Sequence, residues 1–380
     1  MQKEQPVTSL KWKQVNAWRL AQHFLAERAA SHQMLEVVTR LGGVQAQVMS
    51  AAELALWARV QNVSPLDVQH SLWHRRTLVK TWAMRGTLHL LAAEDFALYI
   101  AAFSTLSHYR RPSWLKYFGV TAEELETLIR GVRATLNDSG LTRERLAEAI
   151  ARRLRRPELR EKLRSGWGSL LKPAAFQGHL CFGPNEGQNV TFVRPEKWLG
   201  AWPQVESEPA LQEVARRYLN AYGPATADEF ARWFGLQLPE AKRIFRSLGD
   251  KIAPVSVEGW QAWSLATALA EMRSAGAPRI VRLLPYFDPY TIAVARHIHY
   301  LLPGDHKPRI YRTAGWISPV VMADGRIEGV WDYNKQRSHI AAKIELFTAP
   351  TAGIKRGIAA EAKRLGEFLN TEVRLNYVTT

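Results

Sequence analysis

The sequence predicts an α+β protein, mainly helical, that consists of tandem winged-helix (helix-turn-helix) domains and a C-terminal α+β subdomain. Helices followed by a β-hairpin recur three times before residue 268, and strands and helices are mixed beyond it. The 380 residues are 47% apolar, which suffices for several hydrophobic cores. The predicted domains are winged helix 1 over residues 1–92, winged helix 2 over 93–202, winged helix 3 over 203–267 and the subdomain over 268–380.

The first domain begins with helical periodicity and ends with a hairpin. Apolar residues recur at helical spacing in the segments 15–28, 32–41, 51–60 and 65–73. Two strand-like segments follow at 78–84 and 87–91, and Arg85-Gly86 lies between them as the turn. Such a hairpin after helices is the wing of a winged helix.

The second and third domains repeat this order. In the second, helices are predicted at 93–108, 121–136, 142–154 and 167–177, and hairpin strands at 180–182 and 189–193. Thr121 and Glu124 form the capping-box pattern of a helix start. In the third, an acidic linker at 203–209 precedes helices at 210–221, after Thr226 and at 240–248, and hairpin strands at 252–257 and 260–265.

The C-terminal subdomain has a different pattern. Strands are predicted at 280–284, 309–313, 315–323, 326–333, 340–346 and 373–378. One helix is predicted at 351–369, and Asp324-Gly325 has the composition of a two-residue hairpin turn.

The charge balance predicts a nucleic acid partner. The chain has 51 Lys and Arg against 35 Asp and Glu, a net charge of +16, which favours an anionic polymer, although solubility alone is the alternative explanation. The candidate phosphate contacts are basic residues at predicted turns and loops, namely Arg85 at the hairpin tip, Arg110, Arg111, Lys335 and Arg337. For each of them a solvated surface position is the alternative.

Several functional classes lack their sequence signals. The single cysteine, Cys181, permits neither an internal disulfide nor a cysteine metal cluster, and the histidines do not form a metal-binding motif, so we expect no metal and no cofactor. Neither a phosphate-binding P-loop nor a serine nucleophile elbow occurs. Because the chain has no run of 18 apolar residues and residues 1–5 do not resemble a signal peptide, we expect a cytoplasmic, nucleoid-associated protein that does not enter membranes.

The most informative stretch lies at 41–50, where Gly42-Gly43 precede two glutamines. Gln45 and Gln47 share a face in extended backbone but diverge by about 200° on a helix. The pair can therefore act together if this segment is not regular helix or if a ligand sits between the two side chains. Surface or capping roles are the alternative.

Three motifs together resemble the winged-helix DNA glycosylase family of AlkZ and YcaQ. They are the segment 41–47, the Met-Arg-Gly-Thr-Leu-His-Leu motif at 84–90 and the Leu-Pro-Tyr-Phe-Asp motif at 284–288, and the resemblance covers nearly the whole chain. It implies tandem winged helices around a concave basic channel for double-stranded DNA. It also implies removal of bulky N7-alkylated purines and unhooking of interstrand crosslinks, without a metal.

The resemblance assigns roles to individual residues. Gln45 and Gln47 correspond to the catalytic glutamines, and Gln47 stands where another branch has Asp, so the chain resembles the Gln-x-Gln branch. His89, within the second motif, joins the DNA-binding residues. Asp288, within the third motif, is expected either to anchor a turn or to orient a water or a basic residue in the channel.

The chemistry suits two neutral amides. An N7-alkylated purine carries a positive charge and leaves its sugar without a strong acid, so the protein has only to place a water beneath an oxocarbenium-like sugar. Amide oxygens at Gln45 and Gln47 can accept from that water, with an expected contribution of about 10²- to 10⁴-fold. No lysine Schiff base is required, so we expect a monofunctional enzyme.

Two other functions are alternatives to this one. A non-enzymatic winged-helix DNA-binding protein, such as a transcription regulator, usually has one reading helix per protomer and a dimerising heptad segment, whereas this chain has three repeats and no heptads. An RNA-binding module would carry aromatic motifs that the chain lacks. We therefore expect a monomeric enzyme, and the sequence leaves open whether it acts on crosslinks or only on monoadducts.

Overall fold

The computed structural model describes residues 7–164, 166–276, 278–302 and 304–378. The chain forms two compact units, each discontinuous in sequence. Unit 1 comprises Met1–Val68, Arg216–Thr226 and Leu248–Thr380, and unit 2 comprises Gln69–Ala215 and Ala227–Ser247. Residues 1–5, where the sequence predicts no signal peptide, lie outside the described residues. The division into four sequential domains stays a prediction.

Helices and strands both occur throughout the described residues, in agreement with the predicted α+β class. The helices are α1 (Trp12–Gln22), α2 (Met34–Arg40), α3 (Met49–Trp57), α4 (Pro65–Trp73), α5 (Phe96–Phe103), α6 (Pro112–Phe118), α7 (Ala122–Thr135), α8 (Arg143–Leu154), α9 (Glu158–Arg164), α10 (Lys172–Phe176), α11 (Pro195–Trp198), α12 (Ser207–Tyr222), α13 (Ala227–Phe234), α14 (Leu238–Ser247), α15 (Leu269–Ser274), α16 (Pro289–Ala293), α17 (Lys307–Ile310) and α18 (Ala352–Leu369). The strands are β1 (Thr8–Leu10), β2 (Val44–Gln45), β3 (Leu78–Trp82), β4 (Leu88–Ala92), β5 (Leu141–Thr142), β6 (Cys181–Glu186), β7 (Asn189–Val193), β8 (Ile252–Val257), β9 (Trp260–Leu265), β10 (Val281–Leu284), β11 (Val320–Ala323), β12 (Arg326–Lys335), β13 (Ile340–Leu346) and β14 (Val373–Val378).

A five-stranded sheet in the order β10-β11-β12-β13-β14 lies within unit 1. Its neighbouring strands are antiparallel except for β13 and β14, which are parallel and joined through α18. α18 packs on β10 and β14 through an amphipathic face that buries Ile358 and Leu365. The predicted turn Asp324-Gly325 joins β11 to β12, and both residues have positive φ, 49° and 80°, as in a type I′ hairpin turn.

Unit 1 also contains a three-stranded sheet in the order β1-β8-β9. The hairpin β8–β9 matches the predicted strands 252–257 and 260–265, but β1, which is not predicted, pairs with β8 in parallel. Trp12, the first residue of α1, stacks on Trp260 at 5.3 Å and on Tyr300 at 4.3 Å between ring centroids. The third hairpin is therefore covered along one edge and at its tip.

Unit 2 contains the hairpin β3–β4 and the antiparallel sheet β5-β7-β6. A hydrophobic core connects the two, since Val79 of β3 and Cys181 of β6 are buried in one cluster with Phe96 and Val193. The predicted capping box opens α7, where Thr121 accepts from the Glu124 amide at 3.1 Å and Glu124 accepts from the Thr121 amide at 2.9 Å.

Two predicted strands are wrong in whole or in part. Residues 309–313 do not form a strand, because Pro308 sits in the first turn of α17, where its fixed φ favours a helix start. The strand predicted over 315–323 begins only at Val320. Ala314 and Gly315 have positive φ, 56° and 76°, which interrupts an extended conformation before it.

Some predicted helices are shorter than expected. The helix predicted over 15–28 ends at Gln22, because Phe24 adopts a φ of 53°. The helix predicted over 93–108 ends at Phe103, and the one predicted over 167–177 divides into a 3-10 turn and α10. α6 and α9, which are seven residues each, are not predicted.

Candidate functional site

Neither glutamine lies in regular helix, because Gln45 ends the strand β2 and Gln47 lies in the bend that precedes α3. Gly42 and Gly43, with φ of 66° and 102°, turn the chain out of α2 into β2, and only glycine adopts the second value without strain. Burial then alternates, because Val44 and Ala46 have no exposed surface whereas Gln45 is half-buried and Gln47 is exposed. Regular helix begins only at Met49. Gln45 and Gln47 can act together only if their segment is not regular helix, and the structure meets that condition. Neither side chain is enclosed in the core.

The glutamine segment is fixed at both ends within unit 1. The Tyr222 hydroxyl donates to the Leu41 carbonyl at 2.7 Å, just before the glycine pair. Tyr222 is held in turn by an edge contact with the buried ring of His23, 5.0 Å between centroids. On the other side α3 is buried from Ala51 to Trp57, which anchors the segment to the core.

Asp288 anchors a turn beneath α3. Both of its carboxylate oxygens accept from the Arg59 guanidinium at 2.7 Å, and the two side chains have no exposed surface. Oδ1 also accepts from the amide of Tyr290, so that Asp288 caps α16. These contacts support the first of the two predicted roles. They also hold Arg59, a basic residue that the sequence does not single out.

Arg85 and His89 belong to the first hairpin, in unit 2. Arg85 is exposed at the tip with a φ of 57°, and its guanidinium donates to the Trp233 carbonyl at 3.0 Å. His89 is only 3% exposed, and its Nδ1 lies 3.1 Å from the Thr87 carbonyl. Burial, with a smaller effect of the Arg85 charge, lowers the pKa of His89 to about 3. A neutral, enclosed imidazole supports the hairpin and offers no positive charge to a phosphate.

The other four basic candidates are exposed. Arg110 forms an ion pair with Glu126 at 3.0 Å, and Arg111 directly precedes α6. Lys335 ends β12 and Arg337 lies in the loop to β13. Burial raises the pKa of nearby Tyr333, with smaller effects of Asp332 and of Glu53 on α3, so this end of β12 lies close to the helix that follows the glutamines.

The predicted site residues thus divide between the two units. Unit 1 holds Gln45, Gln47, Asp288, Lys335 and Arg337, and unit 2 holds Arg85, His89, Arg110 and Arg111.

A family model described as DNA glycosylase AlkZ-like matches residues 38–368. The chain belongs to the AlkZ-like DNA glycosylase family. It is 37% identical over 360 residues to an interstrand DNA cross-link repair glycosylase of Streptomyces sahachiroi, covering 93% of this chain and 96% of that protein. The solved structure of the Streptomyces sahachiroi DNA glycosylase AlkZ is similar with a TM-score of 0.88 and 35% identity, covering 98% of this chain and all of that one.

Family membership confirms the predicted resemblance and the predicted enzyme class, and it favours a DNA glycosylase over a non-enzymatic regulator. In this AlkZ-like glycosylase, the described ranges contain no group of three or more His, Cys, Asp or Glu side chains that could hold a metal ion. Within the same ranges no helix is long and apolar enough to cross a membrane.

Two supporting residues of the AlkZ-like chain escape sequence analysis. Tyr222 and Leu41 are 181 positions apart, and Arg59 and Asp288 are 229 positions apart. No local sequence pattern predicts either contact. The one local signal for Arg59 is a basic residue among apolar ones, because it follows the apolar residues 54–58 and precedes Val60.

Proposed function

We propose that this AlkZ-like protein is a monofunctional DNA glycosylase that hydrolyses the N-glycosidic bond of N7-alkylated purines in double-stranded DNA. The observation that carries the proposal is the non-helical glutamine segment, in which the half-buried Gln45 and the exposed Gln47 alternate with the fully buried Val44 and Ala46. The name of the Streptomyces relative, a cross-link repair glycosylase, supports interstrand crosslinks as a second substrate.

The reaction requires little acid–base chemistry from the protein. The C1′–N9 bond breaks and its electron pair neutralises the cationic purine, which leaves as a neutral base. A water held by the Gln45 and Gln47 amide oxygens forms the new C1′–O bond and releases its proton to solvent. The glycine turn and the Tyr222 contact reduce the motion of the segment, so the two amides are positioned before the substrate binds.

We also propose that the chain is a monomer in the cytoplasm and that it contains the tandem winged helices predicted from its sequence. The best support comes from the second repeat, within unit 2. There β5 lies between α7 and α8 in the chain and pairs with β7 of the hairpin, and α8 packs on both strands. A short strand between helices that joins the hairpin is the arrangement of a winged helix.

Single-turnover base release tests the proposed activity. Duplex DNA with one N7-methylguanine is incubated with excess native protein, with Gln45→Ala, with Gln47→Ala and with the control Gln61→Ala, an exposed glutamine that donates to the Arg28 carbonyl. We expect each of the two site variants to lose about 10²- to 10⁴-fold in rate while the control keeps the native rate. DNA affinity and melting temperature should stay near native values in all three.

Two outcomes would contradict the proposal. Native rates in both site variants would remove the glutamines from the reaction. Tight sequence-specific binding without base release by the native protein would instead favour the regulator. A parallel assay with crosslinked duplex, scored by strand separation on a denaturing gel, tests the second substrate.

A further inference from the structure

Basic side chains from separate parts of unit 2 converge beside the tip of the first hairpin. Lys172 opens α10 and lies against Gly86, because a Cβ built on Gly86 would meet Cδ of Lys172 at 3.5 Å and its Nζ at 3.6 Å. Gly86 has a φ of 68° and no side chain, so the hairpin tip leaves room for the Lys172 side chain beside it.

Phe176 connects this contact to a third segment. It lies one helical turn after Lys172, so the two side chains share a face of α10. Its ring edge is 3.9 Å from the same Gly86 position, and its ring meets His108 edge-on at 5.9 Å. Lys172 and His108 therefore both lie near Phe176, and Arg111 follows within one turn of His108.

No carboxylate balances this group. Across the described residues, Lys172, His108 and Arg111 have no ion pair within 4.0 Å, whereas Arg110 and Arg145 of the same unit pair with Glu126 and Glu186. Burial lowers the pKa of Lys172, and burial together with the charges of Arg111 and Lys172 lowers the pKa of His108. A partly buried ammonium without a counter-charge costs stability in the free protein, and an anionic ligand removes that cost.

We propose that Lys172, His108 and Arg111 form a binding site for one backbone phosphate of DNA. The Lys172 ammonium and the His108 imidazole lie near Phe176, the Arg111 guanidinium follows three residues after the imidazole, and a phosphodiester has two free oxygens that accept from such donors. The site deepens the proposed function because it needs DNA as the ligand, but it does not need base release.

The salt dependence of binding to undamaged duplex DNA tests the site. The logarithm of the binding constant falls linearly with the logarithm of salt concentration, with a slope of about −0.9 per neutralised phosphate. We expect Lys172→Met to make this slope shallower by about 0.9, and Lys172→Arg to restore it. The control is Lys162→Met, because the Lys162 ammonium already donates to the Gly119 carbonyl at 2.5 Å, so we expect the native slope.

The outcomes separate this site from the proposed function. A native slope in a folded Lys172→Met protein, or an equal loss in Lys162→Met, overturns the phosphate site. If Lys172→Met does not fold, Arg111→Gln replaces it, since Arg111 is exposed, and a native slope in that variant counts equally against the site. A shallower slope in a protein that releases no base would keep the phosphate site and reject the glycosylase proposal.

Discussion

Burial divides the predicted site residues into two groups. Gln47, Arg111 and Arg337 are exposed and can meet a ligand directly, whereas His89 and Asp288 are enclosed. An enclosed polar residue acts through the side chains that it holds, so its substitution changes stability before it changes chemistry.

We expect Asp288→Ala to destabilise unit 1 by about 3–5 kcal/mol, because it leaves the Arg59 guanidinium buried without a counter-charge. Urea unfolding measures the loss, and Arg59→Met combined with Asp288→Leu should recover part of it, since no buried charge then remains. Protein that stays folded should still release base. Native stability together with lost base release would assign Asp288 a direct catalytic role.

The buried imidazole of His89 makes stability depend on pH. Its pKa in the folded protein, about 3, is below the ordinary value of 6.5, so between these values the unfolded chain binds more protons and stability falls as pH falls. Between pH 7 and pH 5, we expect the free energy of unfolding of His89→Gln to fall by about 2 kcal/mol less than that of the native protein. Urea unfolding measures both values. His74→Gln, an exposed histidine of unit 2, is the control. If the stability of the native protein and of His89→Gln depended on pH in the same way, the lowered pKa of His89 would be contradicted.

Among whole elements, the third hairpin differs most from the free wing that its sequence indicates. β1 covers the outer edge of β8, Trp12 stacks on Trp260 at the tip, and the Trp12 amide donates to the Glu258 carboxylate at 3.1 Å. A covered edge and a stacked tip oppose local opening.

We therefore expect the amides of residues 252–260, apart from Pro254, which has no N–H, to exchange slowly with deuterium. Trp12→Ala removes the ring that stacks on Trp260 and should accelerate exchange near the tip by at least about tenfold. Trp263→Ala is the matched control, because that side chain is 40% exposed on the same hairpin. Unchanged exchange in Trp12→Ala would mean that β1 alone protects the hairpin.

Elements whose signals are local could be predicted from the sequence. β8, β9, β13 and β14 match their predicted bounds, and the Thr121 capping box forms as expected. β1 could not be predicted, because three residues become a strand only by pairing with Val255 to Val257, far along the chain. Contacts between distant residues are also missed at the site. The glutamine pair can be identified from the sequence, but the hydrogen bond from Tyr222 to the Leu41 carbonyl cannot.

For the molecule as a whole, the linear order of repeats does not describe the compact units. Unit 1 joins the first 68 residues to the last 133, from Leu248 to Thr380, with a short piece of α12 and the segment after it between them. The sequence does not reveal that these distant segments form one unit, because each predicted domain is a continuous stretch of the chain. The total charge, by contrast, does not depend on how the chain is divided.

The net charge of +16 and the neutral amides proposed for catalysis predict different salt responses for binding and chemistry. If the protein neutralises about six to ten phosphates, its affinity for undamaged duplex should fall by about 10³- to 10⁵-fold between about 50 and 200 mM salt. At saturating protein, the single-turnover rate of base release should stay nearly constant, because Gln45 and Gln47 carry no charge to be screened. Fluorescence anisotropy and base-release assays on one protein preparation measure both quantities. A rate that falls in parallel with affinity at saturation would show that a charged residue acts in the chemical step, and the exposed cations of the Lys335–Arg337 loop would then be the first candidates.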